Sequence, residues 1–185
     1  MSFNDILRFL ARLNQLRQGL NLKLPSEAQW EYACRAGTET ATYAGQMEIL
    51  GQHNAPILDK IAWYGGNSGL GFELSNGQDS SAWPKKQYPH TRAGTRRVRE
   101  KEPNGWGLYD TLGNVWEWCE DHRHDSYVDA PTDGAAWVVR GRTGRVVRGG
   151  SWNADARSVR AAYRRWLGPD DRYGTLGFRC AQSIT

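Results

Sequence analysis

The sequence is poor in cysteine and has no long apolar run, no internal repeat and no low-complexity tract. Its only cysteines are Cys34, Cys119 and Cys180, and none forms a C-x-x-C pair. An odd number closes no disulfide set, so the expectation is buried, free thiols in a reducing compartment. No stretch approaches the roughly 20 apolar residues that cross a bilayer, which argues against a membrane span. The opening MSFNDILRFLARLNQ has no basic region followed by an apolar one, so no secretory signal is expected, and the location read from the sequence is cytoplasmic. A helix begins almost at once, as in a chain trimmed at its front. An excess of charge of one sign is also absent: the formal net charge is +4, and most of the positive charge is arginine, concentrated between positions 140 and 179. The arginines are not interleaved with aromatics in a compact nucleic-acid motif, so nucleic acid is disfavoured as a partner.

What is abundant is tryptophan, tyrosine and glycine: 9, 8 and 21 of 185 residues. Large rings joined by many glycines suggest a loop-rich fold with an aromatic core. At this length the chain suits one compact domain over 1–185, the C-terminal part of a longer chain being an open option. Phe3, Ile6, Leu7, Leu10, Leu13 and Leu16 recur at helical spacing and predict a helix over 3–17, capped by Ser2 or Asn4 and ended by Gly19 and Asn21. A second helix is expected after Ser26, a good N-cap with Glu27 in the first turn, and Gly37 would close it. Between 38 and 109 the period fades; short strands are expected near 62–64 and 97–99. A strand-like run follows at 113–119, a polar surface loop at 121–144, a short strand at 145–148 turning at Gly149-Gly150, and a closing strand at 176–181. The core candidates are Trp30, Tyr32, Leu108, Tyr109, Val115, Trp116, Trp118, Val147, Trp152 and Phe178.

Four segments in order carry a resemblance: LPSEAQWEYACRAGT (24–38), PNGWGLYDTLGNVWEWCED (103–121), RVVRGGSW (145–152) and LGFRCA (176–181). Together they are similar to the formylglycine-generating-enzyme, or sulfatase-modifying-factor, family over nearly the whole chain. The resemblance implies an α+β fold of the C-type-lectin-like kind: two helices packed on small twisted antiparallel sheets with much irregular structure. Family enzymes oxidise a peptide cysteine to formylglycine and resemble copper oxidases that need two cysteines just after G-G-S-[WY]; a thiolate pair suits Cu(I). Here the matching stretch, 153–163, has no cysteine, so oxidase chemistry is not expected. A sulfoxide-synthase branch uses iron-binding histidines from an added helical domain, for which this chain has no room. His53, His90, His122 and His124 form no metal pattern, and His122 and His124 are expected to be solvated loop residues.

A further branch with this fold comprises the variable proteins of diversity-generating retroelements, in which adenine-directed errors scatter AAC codons near the C-terminus into other residues. Ala154, Asp155, Ser158, Tyr163, Arg165, Leu167, Gly168, Asp171, Tyr173, Gly174 and Thr175 all belong to the reachable set, and Trp166 is reachable from an AGG codon. The resemblance therefore implies a ligand-binding segment over 153–175, with an unknown protein or small molecule as partner and no catalysis. An undiversified binding or regulatory domain and an enzyme remain alternatives. Tyr163, Trp166 and Tyr173 would supply rigid contact area and Arg165 a donor fork, while Arg157, Arg160, Arg164 and Arg172 would brace the irregular backbone. No cofactor is required. By resemblance, a Ca²⁺ ion would be compatible with the carboxylates of Asp110 and Glu117 and the carbonyls of Gly113 and Val115, an alternative being that the two acids pair with arginine.

Overall fold

A computed structural model describes residues 1–71 and 75–182. The order of elements is α1 (Phe3–Leu16), β1 (Leu22–Lys23), α2 (Glu27–Arg35), α3 (Leu58–Ile61), β2 (Gln78–Asp79), β3 (Arg92–Ala93), β4 (Trp116–His122), β5 (Arg145–Arg148), a 3₁₀ turn at Ala156–Ser158, β6 (Arg164–Leu167), β7 (Leu176–Gly177) and β8 (Ala181–Gln182). The fold is mixed α+β, with short strands and long irregular connections. Contacts divide it into two compact units: Met1–Trp30 with Glu117–Arg148 and Arg164–Thr185, and Glu31–Trp116 with Gly149–Tyr163.

In the first unit, β6, β5, β4 and β7 form one sheet in that order, and β1 pairs antiparallel with β8. β5 lies antiparallel to both neighbours, with Trp118 opposite Val147 and Val146 opposite Trp166. β4 is buried along nearly its whole length, on both faces, which is why it shows no clean alternation of apolar and polar residues. Phe3, Ile6 and Leu10 are the buried stripe of α1, and Phe3 meets Trp118 edge to face at 5.9 Å. Of the two capping candidates, Ser2 caps α1: its hydroxyl accepts from the Asp5 N–H, and its own N–H donates back to the Asp5 carboxylate. Asn4 instead donates to Asp170. Ser26 caps α2 in the same reciprocal manner with Gln29, while its hydroxyl donates to the Gly134 carbonyl.

Asp5 also takes a two-pronged contact from Arg172, at 2.8 and 3.0 Å, and one from Arg8. Arg172 foremost, then the Ser2 N–H and Arg8, hold the Asp5 carboxyl well below the usual aspartate range. Its stabilising contribution is therefore complete above the unfolded aspartate value of about 3.9 and is lost as pH falls below it. Asp5→Asn is expected to melt below the wild type at neutral pH, with the gap closing as pH drops toward about 2. Melting temperatures across that pH range check this; a gap independent of pH would show that the charge of Asp5 contributes nothing.

In the second unit the expected strands at 62–64 and 97–99 do not form. Residue 62 ends α3. The Trp63 carbonyl accepts from the Asn114 N–H and the Tyr64 N–H donates to the Asn67 side chain, so these groups are satisfied without a ladder. Likewise the N–H groups of Arg96 and Arg99 donate to the side chains of Asn114 and Asp110. The strand pair of this unit is instead β2 with β3. The Tyr64 hydroxyl accepts from the Ala55 N–H and donates to Gln87, and burial pushes its phenol up to about 12. The Trp63 ring has both the Arg96 guanidinium, at 4.3 Å, and the Lys101 ammonium, at 3.8 Å, over it.

Several expectations need correction. The 113–119 run becomes a strand only from Trp116, because Gly113 (φ +77°) and Asn114 (φ +60°) turn the chain in the left-handed region. The closing strand is two separate pairs of residues, β7 and β8, in two sheets. Tyr32, expected in the core, is 69% exposed and meets Trp106 edge-on at 4.9 Å. Leu108, Tyr109, Val115 and Phe178 are half-buried, whereas Trp30, Trp116, Trp118, Val147 and Trp152 are buried as expected. His122 and His124, expected in solvent, are both buried. His122 Nδ1 accepts from the Val139 N–H, and the His124 ring lies flat on Trp137 at 3.5 Å. Burial, with Arg145 next, holds His122 below its ordinary pKa. Cys34 and Cys119 are buried as expected, but Cys180 is exposed.

Candidate functional site

The segment 153–175 is divided between the two units. In the second unit Ala154 is buried, with its carbonyl accepting from the Gly65 N–H. Asp155 is half-buried; its Oδ1 accepts from Gln52 at 2.9 Å and lies 3.2 Å from His53 Nε2. Ser158 and Tyr163 are half-buried, and Tyr163 leans on Trp116 at 5.8 Å. Of the bracing candidates here, Arg157 is exposed and stands 4.0 Å from Asp155, and Arg160 lies over the Tyr163 ring.

In the first unit the segment supplies β6, an edge strand of the four-stranded sheet. Arg164 points inward and grips the buried Glu27 with Nε and Nη2, at 2.6 and 2.7 Å, while Nη1 donates to the His124 carbonyl. Arg164 and Arg172 therefore do brace the chain, chiefly through carboxylates. Arg165 and Trp166 are exposed, Leu167, Gly168, Asp171 and Thr175 are half-buried, and Tyr173 and Gly174 are exposed. The Trp166 ring carries the Arg123 guanidinium on its face, 3.5 Å from the ring centre. The Asp171 carboxylate accepts from the Gly168 N–H.

Two concavities open at Trp166. One, of about 570 Å³, is lined by Arg123, residues 141–144, Trp166, Leu167, Gly168 and Asp171. A second, of about 270 Å³, is lined by Arg123, His124, Asp125, Val146 and β6. Arg123 and Arg142 are thus site residues that the sequence reading left out. For Arg142 the signal was the RGRTGR stretch at 140–145, an arginine-rich loop punctuated by glycine; Arg123 lies outside it.

The donors do not fit a copper centre. Residues 153–175 contain no cysteine. Burial pushes the Cys119 thiol well up and the Cys180 thiol up, which opposes thiolate formation. The four calcium candidates fall in different units. In the second, Asp110 accepts from the Arg99 N–H at 2.8 Å, and the Gly113 N–H donates to the Gly149 carbonyl. Val115 is half-buried. In the first, both Glu117 oxygens are engaged: Oε2 accepts from Trp30 Nε1 at 2.7 Å and from Arg179 Nε, and Oε1 from Arg179 Nη2 at 2.8 Å. Glu117 already has a cationic partner in Arg179. Among the described residues no group of three or more His, Cys, Asp and Glu side chains is placed to hold a metal ion.

The family model described as the sulfatase-modifying factor enzyme 1-like domain matches residues 1–184. The chain belongs to this family. Among curated relatives, the formylglycine-generating enzyme of Streptomyces coelicolor is 33% identical over 171 residues, covering 86% of this chain and 46% of that protein. The chain thus spans less than half the length of that relative. Among solved structures, PvdO from Pseudomonas aeruginosa superposes with a TM-score of 0.75 at 28% identity, covering all of this chain and 60% of that one. Treponema denticola variable protein 1 superposes with a TM-score of 0.65 at 34% identity, covering 87% of this chain and 47% of that one. The architecture, two longer helices and the one-turn α3 with several small sheets, is that of the sulfatase-modifying-factor family, a C-type-lectin-like fold. No helix among the described residues is long and apolar enough to cross a membrane.

Proposed function

We propose that this sulfatase-modifying-factor domain is a non-catalytic binding module whose segment 153–175 is diversified in the manner of a retroelement variable protein. The observation that carries the reading is β6. It is an edge strand that presents Arg165 and Trp166 outward beside two concavities, while the neighbouring β5 supplies the buried Val146 and Val147. In the first unit, side chains that face solvent can be exchanged without removing those that hold the sheet. The mixture of a large exposed indole, a guanidinium fork, glycines and Asp171 suits adaptable recognition. The likeness to Treponema denticola variable protein 1 supports the same reading.

Comparison of the coding locus among closely related isolates tests diversification. Substitutions should concentrate at 154, 155, 158, 163, 165–168, 171 and 173–175, and a near-copy of this segment differing at adenines should lie beside a reverse-transcriptase gene. Changes spread evenly along the gene would favour an undiversified binding domain. The relatives that are formylglycine-generating enzymes motivate a catalytic alternative. The purified domain supplied with Cu(I) and a cysteine-containing peptide is expected to leave the thiol unoxidised; aldehyde in the peptide would overturn the non-catalytic reading.

Calcium has no required place in this account, because Arg179 already neutralises Glu117. Millimolar calcium, or its removal with a chelator, is expected to leave the melting temperature unchanged. A calcium-dependent rise would mean that the ion displaces Arg179 from Glu117 or finds ligands elsewhere.

A further inference from the structure

The larger cleft of the first unit is lined by residues of two origins. Trp166 and Asp171 belong to the segment read as replaceable. Arg123, Arg142 and Thr143 lie outside it. This second set is rich in unused donors. Arg142 donates one bond, from Nη1 to the Arg123 carbonyl at 2.8 Å, and it is exposed. The Arg123 guanidinium lies against Trp166 and donates Nη2 to Asp125. Neither the Nε and Nη2 of Arg142, the Nε and Nη1 of Arg123, nor the Thr143 hydroxyl has a partner among the described residues. The single carboxylate lining the cleft is Asp171, one oxygen of which is already used by the Gly168 N–H.

We propose that this cleft binds a small ligand through an anionic oxygen group, a carboxylate or a phosphate. Arg142, Arg123 and Thr143 anchor the anion, and Trp166 and Asp171 in the same lining select the body that carries it. The inference rests on the binding reading above and adds the ligand's chemistry and a division of labour. Arg123 is held over the indole and by Asp125, so less rotamer freedom is lost when it engages an anion than for a free arginine. A guanidinium fork matches the oxygens of carboxylate and phosphate alike. Asp171 is the carboxylate in the lining of this cleft, while Asp125 is already paired with Arg123, so the charge of Asp171 tunes affinity with a sign opposite to that of the arginines. An anchor outside the replaceable segment would let every version of that segment hold the same chemical handle while changing what it reads around it.

Calorimetric titration of the intact domain with inorganic phosphate, and separately with acetate, tests this. The expected result is saturable 1:1 binding of at least one of the two ions, weakening as ionic strength rises. Whichever ion binds more tightly identifies the anion's source. Arg142→Ala should weaken binding about tenfold, the loss of one charge-assisted contact. Asp171→Asn keeps an acceptor for the Gly168 N–H and removes the like charge, so it should tighten binding about threefold or more. Trp166→Ala should abolish any preference for phenyl phosphate over inorganic phosphate. Unchanged melting of the exposed Arg142 variant confirms that its effect is local. Absence of binding by both ions, or binding indifferent to both Arg142→Ala and Asp171→Asn, overturns the proposal. That failure is separable from failure of the binding reading, because the locus comparison and the peptide assay are independent of any anion.

Discussion

Glu27→Ala is expected to destabilise the first unit by about 3–5 kcal/mol, the cost of breaking a buried ion pair from one side. Glu27 is 4% exposed at the start of α2 and is the acceptor for two arginines. Arg164 binds it with two parallel bonds, and Arg148, fully buried on β5, reaches its Oε1 at 3.2 Å. Removing the carboxylate takes from the fully buried Arg148 the acid that its Nη1 reaches, and Arg164 on β6 loses its two-pronged anchor. The loss should therefore exceed that of an exposed pair, which contributes at most about 1 kcal/mol. Glu27→Gln separates charge from volume: it retains an acceptor oxygen and should still lose most of the effect. Denaturant unfolding of both variants decides the matter. A loss below about 1 kcal/mol for Glu27→Ala would mean that Arg148 finds another partner or water at no cost. The same carboxylate fixes Arg164, so the Ala variant is also expected to disorder β6 and to weaken any ligand held at Trp166.

Gly113→Ala is the second large effect, and it falls in the second unit. A Cβ at this position would stand 2.4 Å from the Trp63 carbonyl oxygen and 2.9 Å from the Trp63 nitrogen, both backbone atoms that no side-chain rotation can move. The residue also has φ +77°, a conformation that costs an L-residue about 1–2 kcal/mol even in open space. The neighbouring bonds make retreat expensive. The Gly113 N–H donates to the Gly149 carbonyl at 2.9 Å, and the Asn114 N–H donates to the Trp63 carbonyl at 2.7 Å. Relieving the clash requires breaking at least one of these. With about 2–4 °C lost per kcal/mol in a chain of this size, the backbone penalty alone predicts a drop of several degrees, and the clash adds to it. Gly134→Ala is the control: it too has positive φ, but nothing lies within 4 Å of its Cβ, so it should show the backbone penalty without the clash. Equal melting of the two variants would show that the close approach at Gly113 carries no weight.

Both effects fall on residues inside the motifs by which the family was read from the sequence, yet their reasons were not visible there. Glu27 was read as a favourable charge in the first turn of a helix, and its three-way pairing with Arg148 and Arg164 joins positions 121 and 137 residues away. Gly113 was read as part of a strand because large residues alternate after it. Its true task is to turn the chain against Trp63, 50 positions earlier. The histidines show the same limit. His122 and His124 sit in a polar run that looks solvated, and only the return of Val139 and Trp137 covers them. Within the candidate site, Trp166 was legible as a large exposed ring on a replaceable segment. The facing Arg123 and Arg142 were not, because a loop 24 or more positions earlier carries them.

What the amino-acid order determined by itself is what depends on near neighbours. That includes the 3.6-residue stripe of α1, the N-cap at Ser26, the short strand before Gly149-Gly150, the absence of cysteine from 153–175, and four segments whose order marks the family. Local periodicity and capping act over three or four residues, so they survive in a linear reading. Only the tertiary structure decided which charges are buried, which arginines brace and which stay free, and where a cleft opens. Those outcomes depend on contacts across a hundred or more positions, and burial, which sets their energies, is a property of the folded chain and not of any segment of it.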